Sequence, residues 1–159
     1  MSWHIENIRD VQWYDGGPFG VYGDFERGGE RFPEVGFNFG LIWPGQKLGM
    51  YHREENQEGF LVLSGECLLI VEGEEHPLRQ WDYFHCPAGV DHIIVGAGDG
   101  PAFLIAVGGR TGSGGIVYPV DAVAQKHDAT VERETTDPKE AYARFPKQQT
   151  IPFDEEWLP

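Results

Sequence analysis

The chain has 159 residues, a net charge of −14, and 40% hydrophobic and 13% aromatic content. That length and apolar share support one packed core and exclude global disorder. The negative charge, with no Lys/Arg cluster anywhere, argues against a nucleic-acid binder and disfavours anionic membranes.

Residues 1–12 read as a short arm or the first turn of a helix. The opening residues lack a basic start and an apolar core, so no leader is expected, and no apolar run approaches a membrane span. The expected compartment is the cytoplasm. Trp13 to Arg31, rich in Gly and aromatic residues, reads as irregular or edge-strand structure. A strand is expected from Val35 to Trp43, closed by Pro44-Gly45. Further strands follow near 49–54, 58–64, 66–72, 75–79, 82–86, 91–96 and 102–107. Glu72-Gly73 is a hairpin signal, and Asp99-Gly100-Pro101 is another turn. Short strands joined by many turns, in a chain with 22 Gly and 11 Pro, point to an all-β double-sheet jelly roll.

Past Gly108 the pattern changes. Gly108 to Gly115 reads as a flexible loop without a Gly-Lys-Ser/Thr phosphate signature. Ile116 to Val120 adds a strand or packs on the barrel, and Val120 to Lys126 forms a helical turn. Asp137-Pro138-Lys139-Glu140 starts a helix reaching about Phe145, with Asp as cap and Pro first. Phe153, Trp157 and Leu158 of the tail dock on the barrel or on a second subunit. The expected boundaries are 1–34 for arm and edge strands, 35–108 for the barrel and 109–159 for an extension, in one domain. Cys67 and Cys86 are too few for a disulfide framework and read as small core residues, with a place near a metal as the alternative for either.

Two short segments carry the chemistry. His52 and Glu54 alternate along a strand-like stretch and share a face. Glu58 follows the polar Glu55-Asn56-Gln57 and heads the apolar run from Phe60. Pro87-Ala88-Gly89 is a turn that delivers His92 to the head of Ile93-Ile94-Val95. Two imidazoles and two carboxylates at converging strand ends suit a divalent metal. By parity Met50, Phe60, Val62 and Ile94 share the inner face, as pocket lining or as plain core. Arg53 has the opposite parity, and no other arginine lies near these residues in sequence, so a clamp for an anionic substrate is not evident. His85 is either a partner to a ligand or an ordinary strand histidine, and His76 reads as solvated.

These segments resemble the two motifs of the cupin superfamily. Gly45, His52, Glu54, Glu58 and Gly65 match the first, and Trp81, Pro87, Gly89, His92 and Gly96 the second. The resemblance covers roughly residues 36–108. Three positions depart from it: Glu54 stands where the family has its second His, Trp81 replaces the glycine before Asp82, and Gly96 replaces the final Asn. The resemblance implies a small-barrel cupin, that is, a double-stranded β-helix or jelly roll. It implies a divalent transition metal (Fe, Mn, Zn, Ni or Co) held by His52, Glu54, Glu58 and His92. If Glu54 swings away, the set becomes two His and one Glu with open positions. It also implies dioxygenase, isomerase or decarboxylase chemistry on a small oxygen-bearing molecule, with Glu54 or Glu58 doubling as proton acceptor. The alternative is a non-catalytic small-ligand-binding or sensing barrel. A homodimer is the expected assembly.

Overall fold

The alternating apolar pattern folds as two facing sheets in the computed structural model, which describes residues 3–159. The strands are, in chain order, β1 (Trp13–Asp15), β2 (Val21–Asp24), β3 (Val35–Ile42), β4 (Arg53–Glu54), β5 (Glu58–Ser64), β6 (Glu66–Val71), β7 (Glu74–Arg79), β8 (Tyr83–Cys86), β9 (His92–Gly96), β10 (Ala102–Gly109), β11 (Ile116–Val117) and β12 (Gln149–Ile151). Seven form an antiparallel sheet in the order β12-β1-β2-β3-β10-β5-β8. The facing sheet is β7-β6-β9, and β11 pairs with β4. This is the expected all-β jelly roll.

Period-two alternation sorts the side chains. Ile42, Phe60, Val62, Leu69, Ile94 and Leu104 meet between the sheets. Phe39, Leu41 and Phe103 point the other way and pack with Trp13 on the outer face of the large sheet. The tail closes over that face: Phe153 and Trp157 lie 5.7 and 4.9 Å from the Trp13 ring. Phe153, Trp157 and Leu158 are each partly buried there, and their apolar area covers Trp13, which is itself fully buried. The tail is thus committed to its own barrel. Of the two readings of Trp13 to Arg31, the strand one holds for β1 and β2, which extend the large sheet toward its edge, and Trp13 is fully buried. The arm carries no helix between residues 3 and 12, and Met1 and Ser2 lie outside the described residues.

Two expected elements come out shorter. The strand near 49–54 survives only as Arg53–Glu54 plus single bridges at Lys47–Val95 and His52–His92. Between those bridges the segment bulges away from β9. After Leu48, whose N–H still reaches Ile94 O on β9, the donors go to the extension, Met50 N–H to the Tyr142 hydroxyl at 3.1 Å and Tyr51 N–H to Ala129 O at 2.6 Å. The helix expected from Asp137 to Phe145 is only α2 (Pro138–Ala141), preceded by α1 (Ala122–Gln125). Asp137 caps α2 as expected, and Asp121 caps α1 in the same way, but such short helices are held by packing rather than propensity. Ala141 and Tyr142 pack with Met50 and Tyr118. No helix among the described residues is long and apolar enough to cross a membrane.

Two of the departures from the motif have clear structural consequences. Trp81 adopts a left-handed backbone, with φ of 74°, while its side chain is 67% exposed. Gly96 passes so close to the turn after β3 that a Cβ would lie 2.0 Å from Trp43 O.

Candidate metal centre

The centre begins with a backbone pair. His52 N–H donates to His92 O at 3.1 Å, and His92 N–H donates back to His52 O at 2.8 Å. Residues paired in this way across antiparallel strands present their side chains on one face, and the two imidazole rings lie 4.7 Å apart. Glu58 heads β5, opposite Cys86 on one side and Gly108 on the other. Its Oε2 is 3.2 Å from His92 Nε2 and 3.7 Å from His52 Nε2. One ligand atom from each of His52, Glu58 and His92 lies within 4.8 Å of the other two.

The rings are aimed by the main chain. His52 Nδ1 is 2.7 Å from Met50 O, and His92 Nδ1 is 3.0 Å from Val90 O. A proton on each Nδ1 donated to those carbonyls leaves Nε2 facing the shared space, which is how ligating histidines are oriented. Glu58 Oε2 and His92 Nε2 are buried yet lack a hydrogen-bond partner, their approach being close but misaligned. Buried polar atoms are rarely left this way. A divalent ion with bonds of about 2.0–2.2 Å would satisfy both.

Burial also shapes the charges. It pushes the His52 pKa down, aided by the neighbouring His92. Burial disfavours a charged His92 as well, but the Cys86 sulfur and the Glu58 carboxylate outweigh it and push that pKa up to about 10. Cys86 Sγ is 3.3 Å from His92 Nδ1, so one of the two cysteines read as core does lie against the site.

Glu54 occupies a different position from the other three. Its Oε1 is 3.9 Å from His52 Nε2, but it falls outside the three-residue cluster. It lines a separate open groove with Arg53, Gly115, Ile116 and Pro138. Burial and then the Glu58 carboxylate raise its pKa, opposed by His92 and Arg110. Arg110 therefore reaches the neighbourhood of the site, although it is far from the ligands in sequence. Arg53 turns away to Asp91 at 2.9 Å, as its parity required. His85 and His76 are exposed on their strands.

The cluster opens into a cavity of about 330 Å³. Phe60, Ile94, Leu104 and Ala106 form its apolar wall. Val62 is buried in the core behind it, and Met50 packs instead against Tyr118 and Ala141. Tyr22, Asp24, Asn38 and Tyr142 add polar groups that motif spacing did not reveal.

With this geometry in hand, comparison with known proteins places the barrel. A family model, the cupin domain, matches residues 39–108. The barrel is a cupin domain. Among solved cupin structures, an RmlC-like cupin from Shewanella frigidimarina superposes with a TM-score of 0.59 at 20% identity, covering 70% of this chain and 95% of its own. A sugar phosphate isomerase of the cupin superfamily from Silicibacter pomeroyi matches at 25% identity and a TM-score of 0.53, covering 74% and 76%. A protein from Acidithiobacillus ferrooxidans described as a sugar phosphate isomerase matches at 26% identity and 0.52, covering 63% of this chain. The match spans 65% of that relative's length, just under two thirds. No match was found among curated proteins.

Proposed function

We propose that the chain is a metal-dependent cupin enzyme that acts on a small oxygen-bearing organic molecule, with isomerisation as its reaction class. The observation that carries this reading is the convergence of His52, Glu58 and His92, two of whose ligand atoms are buried without partners. A divalent ion held there would polarise a carbonyl or hydroxyl oxygen of the substrate. In this reading Glu58 completes the ligand set, and Glu54 accepts and returns a proton. The raised pKa of Glu54 and its place 3.9 Å from His52 support that role. Isomerisation is preferred to oxygenation or decarboxylation because two cupin relatives at 25% and 26% identity are described as sugar phosphate isomerases.

The test is metal analysis of untagged protein, followed by turnover assays with aldose and ketose pairs. Wild type is expected to carry about one ion per chain, and His52→Ala and His92→Ala to lose most of it. Full occupancy in His92→Ala would overturn the site. Ligand-induced thermal shifts without conversion would make the barrel a binding module.

The same reading includes a homodimer. The tail packs on its own barrel, so the contact would fall on the edge strand β8 and the turn before it, where Tyr83 and Trp81 are 61% and 67% exposed. A cytoplasmic setting fits two buried free thiols.

A further inference from the structure

We propose that the cavity wall opposite the metal cluster selects an uncharged polyhydroxylated ligand and rejects its phosphate ester. This rests on the metal-centred reading above and specifies its substrate class.

The wall is built by strand register. Asp24 on β2 stands opposite Asn38 on β3, Asn38 opposite Ala106 on β10, and Ala106 opposite Phe60 on β5. Neighbouring strands lie about 4.8 Å apart, so Asn38 sits about 10 Å across the sheet from the strand that carries Glu58. The residues between are small, Gly40, Ala106 and Gly108, and the floor stays open for a ligand a few carbons long.

The wall has free hydrogen-bonding capacity. The Asn38 carboxamide makes no side-chain hydrogen bond among the described residues, and Asp24 commits Oδ1 to Glu26 N–H at 2.8 Å while Oδ2 remains available. An amide that donates and accepts, beside a carboxylate that accepts, suits hydroxyl groups, which do both.

Charge then decides against a phosphate. Asp24 and Glu58 line the cavity, and no Lys or Arg does. The nearby cations are engaged: Arg110 Nη1 bonds Glu26 and Phe32 O, Arg53 bonds Asp91, and Lys47 bonds Asp128. Lys147 lines only the outer groove, which shares Tyr22 and Tyr142 with the cavity. A sugar phosphate whose reacting end reaches the metal would set its terminal phosphate at the far end of the cavity beside Asp24, where no Lys or Arg among the described residues lines the wall to balance it. In this the chain departs from the sugar phosphate isomerases it resembles.

The experiment uses full-length protein loaded with Co²⁺, whose visible spectrum reports ligand arrival at the metal. The probes are ribose and glucose, each against its terminal phosphate ester. The neutral sugar is expected to bind at least about tenfold more tightly than the ester. Asn38→Leu should weaken the neutral sugar about tenfold and leave Co²⁺ affinity unchanged, and Asp24→Asn should narrow the gap between sugar and ester. Esters that bind as tightly as the sugars would overturn the proposal, most directly if Lys147→Glu then abolished their binding. So would the absence of binding by either neutral sugar. Failure to bind Co²⁺ would sink the metal-centred reading instead. The sugar preference is then read by thermal shift on the metal-free protein, where it persists if the wall argument holds and vanishes if it does not.

Discussion

Loading the centre with a divalent ion should eject one proton, so that affinity climbs through the neutral pH range. Cys86 and Glu58 overcome burial to push the His92 pKa up to about 10, whereas burial and His92 push His52 down. At neutral pH the free protein therefore holds a proton on His92 Nε2 and none on His52 Nε2. An incoming ion needs the His92 lone pair, and that proton must leave. One proton per ion corresponds to about 1.4 kcal/mol, or tenfold in affinity, per pH unit, and so to about a hundredfold between roughly pH 6.5 and 8.5. An imidazole with an ordinary pKa of about 6.5 would give a nearly flat curve over the upper half of that range. Calorimetric titration with Zn²⁺ or Co²⁺ in buffers of different protonation enthalpy counts the proton directly, and competition with a chelator gives the affinity. A proton count near zero with flat affinity would refute the assignment of the charge to His92. Cys86→Ala, which removes one of the raising neighbours, should make the curve flatten at lower pH. The metal-free fold should show the opposite trend. Its folded pKa lies above the unfolded one, so the stabilisation is complete below about pH 6.5 and is lost as pH rises through 10.

The remaining expectations concern single side chains. Glu58→Ala should lower metal affinity at least about a hundredfold, while Glu54→Ala should change it by no more than about threefold, because Glu54 lies outside the cluster. Equal losses in the two variants, by chelator competition, would restore Glu54 as a ligand. Trp81→Gly should raise the melting temperature by about 2–4 °C, since a left-handed backbone costs a side-chain-bearing residue about 1–2 kcal/mol and little packing is lost from an exposed ring. A lower melting temperature would show that the ring is packed in solution. Gly96→Ala should cost upward of about 2 kcal/mol in chemical denaturation, because its Cβ would collide with the Trp43 carbonyl. A neutral result would mean that β9 and the turn after β3 separate freely there.

The barrel strands were legible because each is a short alternating run bounded by Gly or Pro, and alternation reports directly on which face is buried. Glu58 and His92 were legible because each sits at the head of such a run, where register fixes its direction, and His52 because its spacing to them matches the motif. Glu54 was harder. It does share a face with His52, with its Oε1 3.9 Å from His52 Nε2, yet it stays outside the ligand cluster, a distinction alternation does not carry. The strand expected near 49–54 was also only partly legible, because the stretch before His52 bulges. The acceptors that draw the bulge out, Ala129 O and the Tyr142 hydroxyl, lie far along the chain, so no local pattern announces it. The full burial of Trp13 was not legible for a similar reason, since it depends on partners at the opposite end of the sequence, Phe153 and Trp157. Cys86 left a usable signal. It ends a strand whose alternate residues face inward, and the Pro87-Ala88-Gly89 turn carries the chain from there directly to His92.

The bulge also ties the extension to the chemistry. His52 is aimed by Met50 O, and Met50 is fixed on its other side by the Tyr142 hydroxyl and by packing on Tyr118 and Ala141. Tyr142 in turn lines the cavity, and burial raises the pKa of both tyrosines, so their hydroxyls stay protonated at neutral pH. Buried Lys47, 3.1 Å from Asp128 and lying over the Phe19 and Phe145 rings, pins the same region to the barrel. The matched cupin segment ends at residue 108, and Tyr118, Ala141 and Tyr142, which steer Met50, lie beyond it. Truncation after Gly109 should therefore loosen His52 while leaving the His92–Glu58 pair, which rests on β5 and β9, in register. Tyr142→Phe isolates the same effect without removing the extension. It leaves the Met50 N–H without its acceptor, a loss of about 1–3 kcal/mol for a buried donor, and should weaken metal binding through His52 alone. If metal affinity in Tyr142→Phe and in Tyr142→Phe/His52→Ala differed by as much as wild type differs from His52→Ala, the two residues would be uncoupled and the extension would be only a cover.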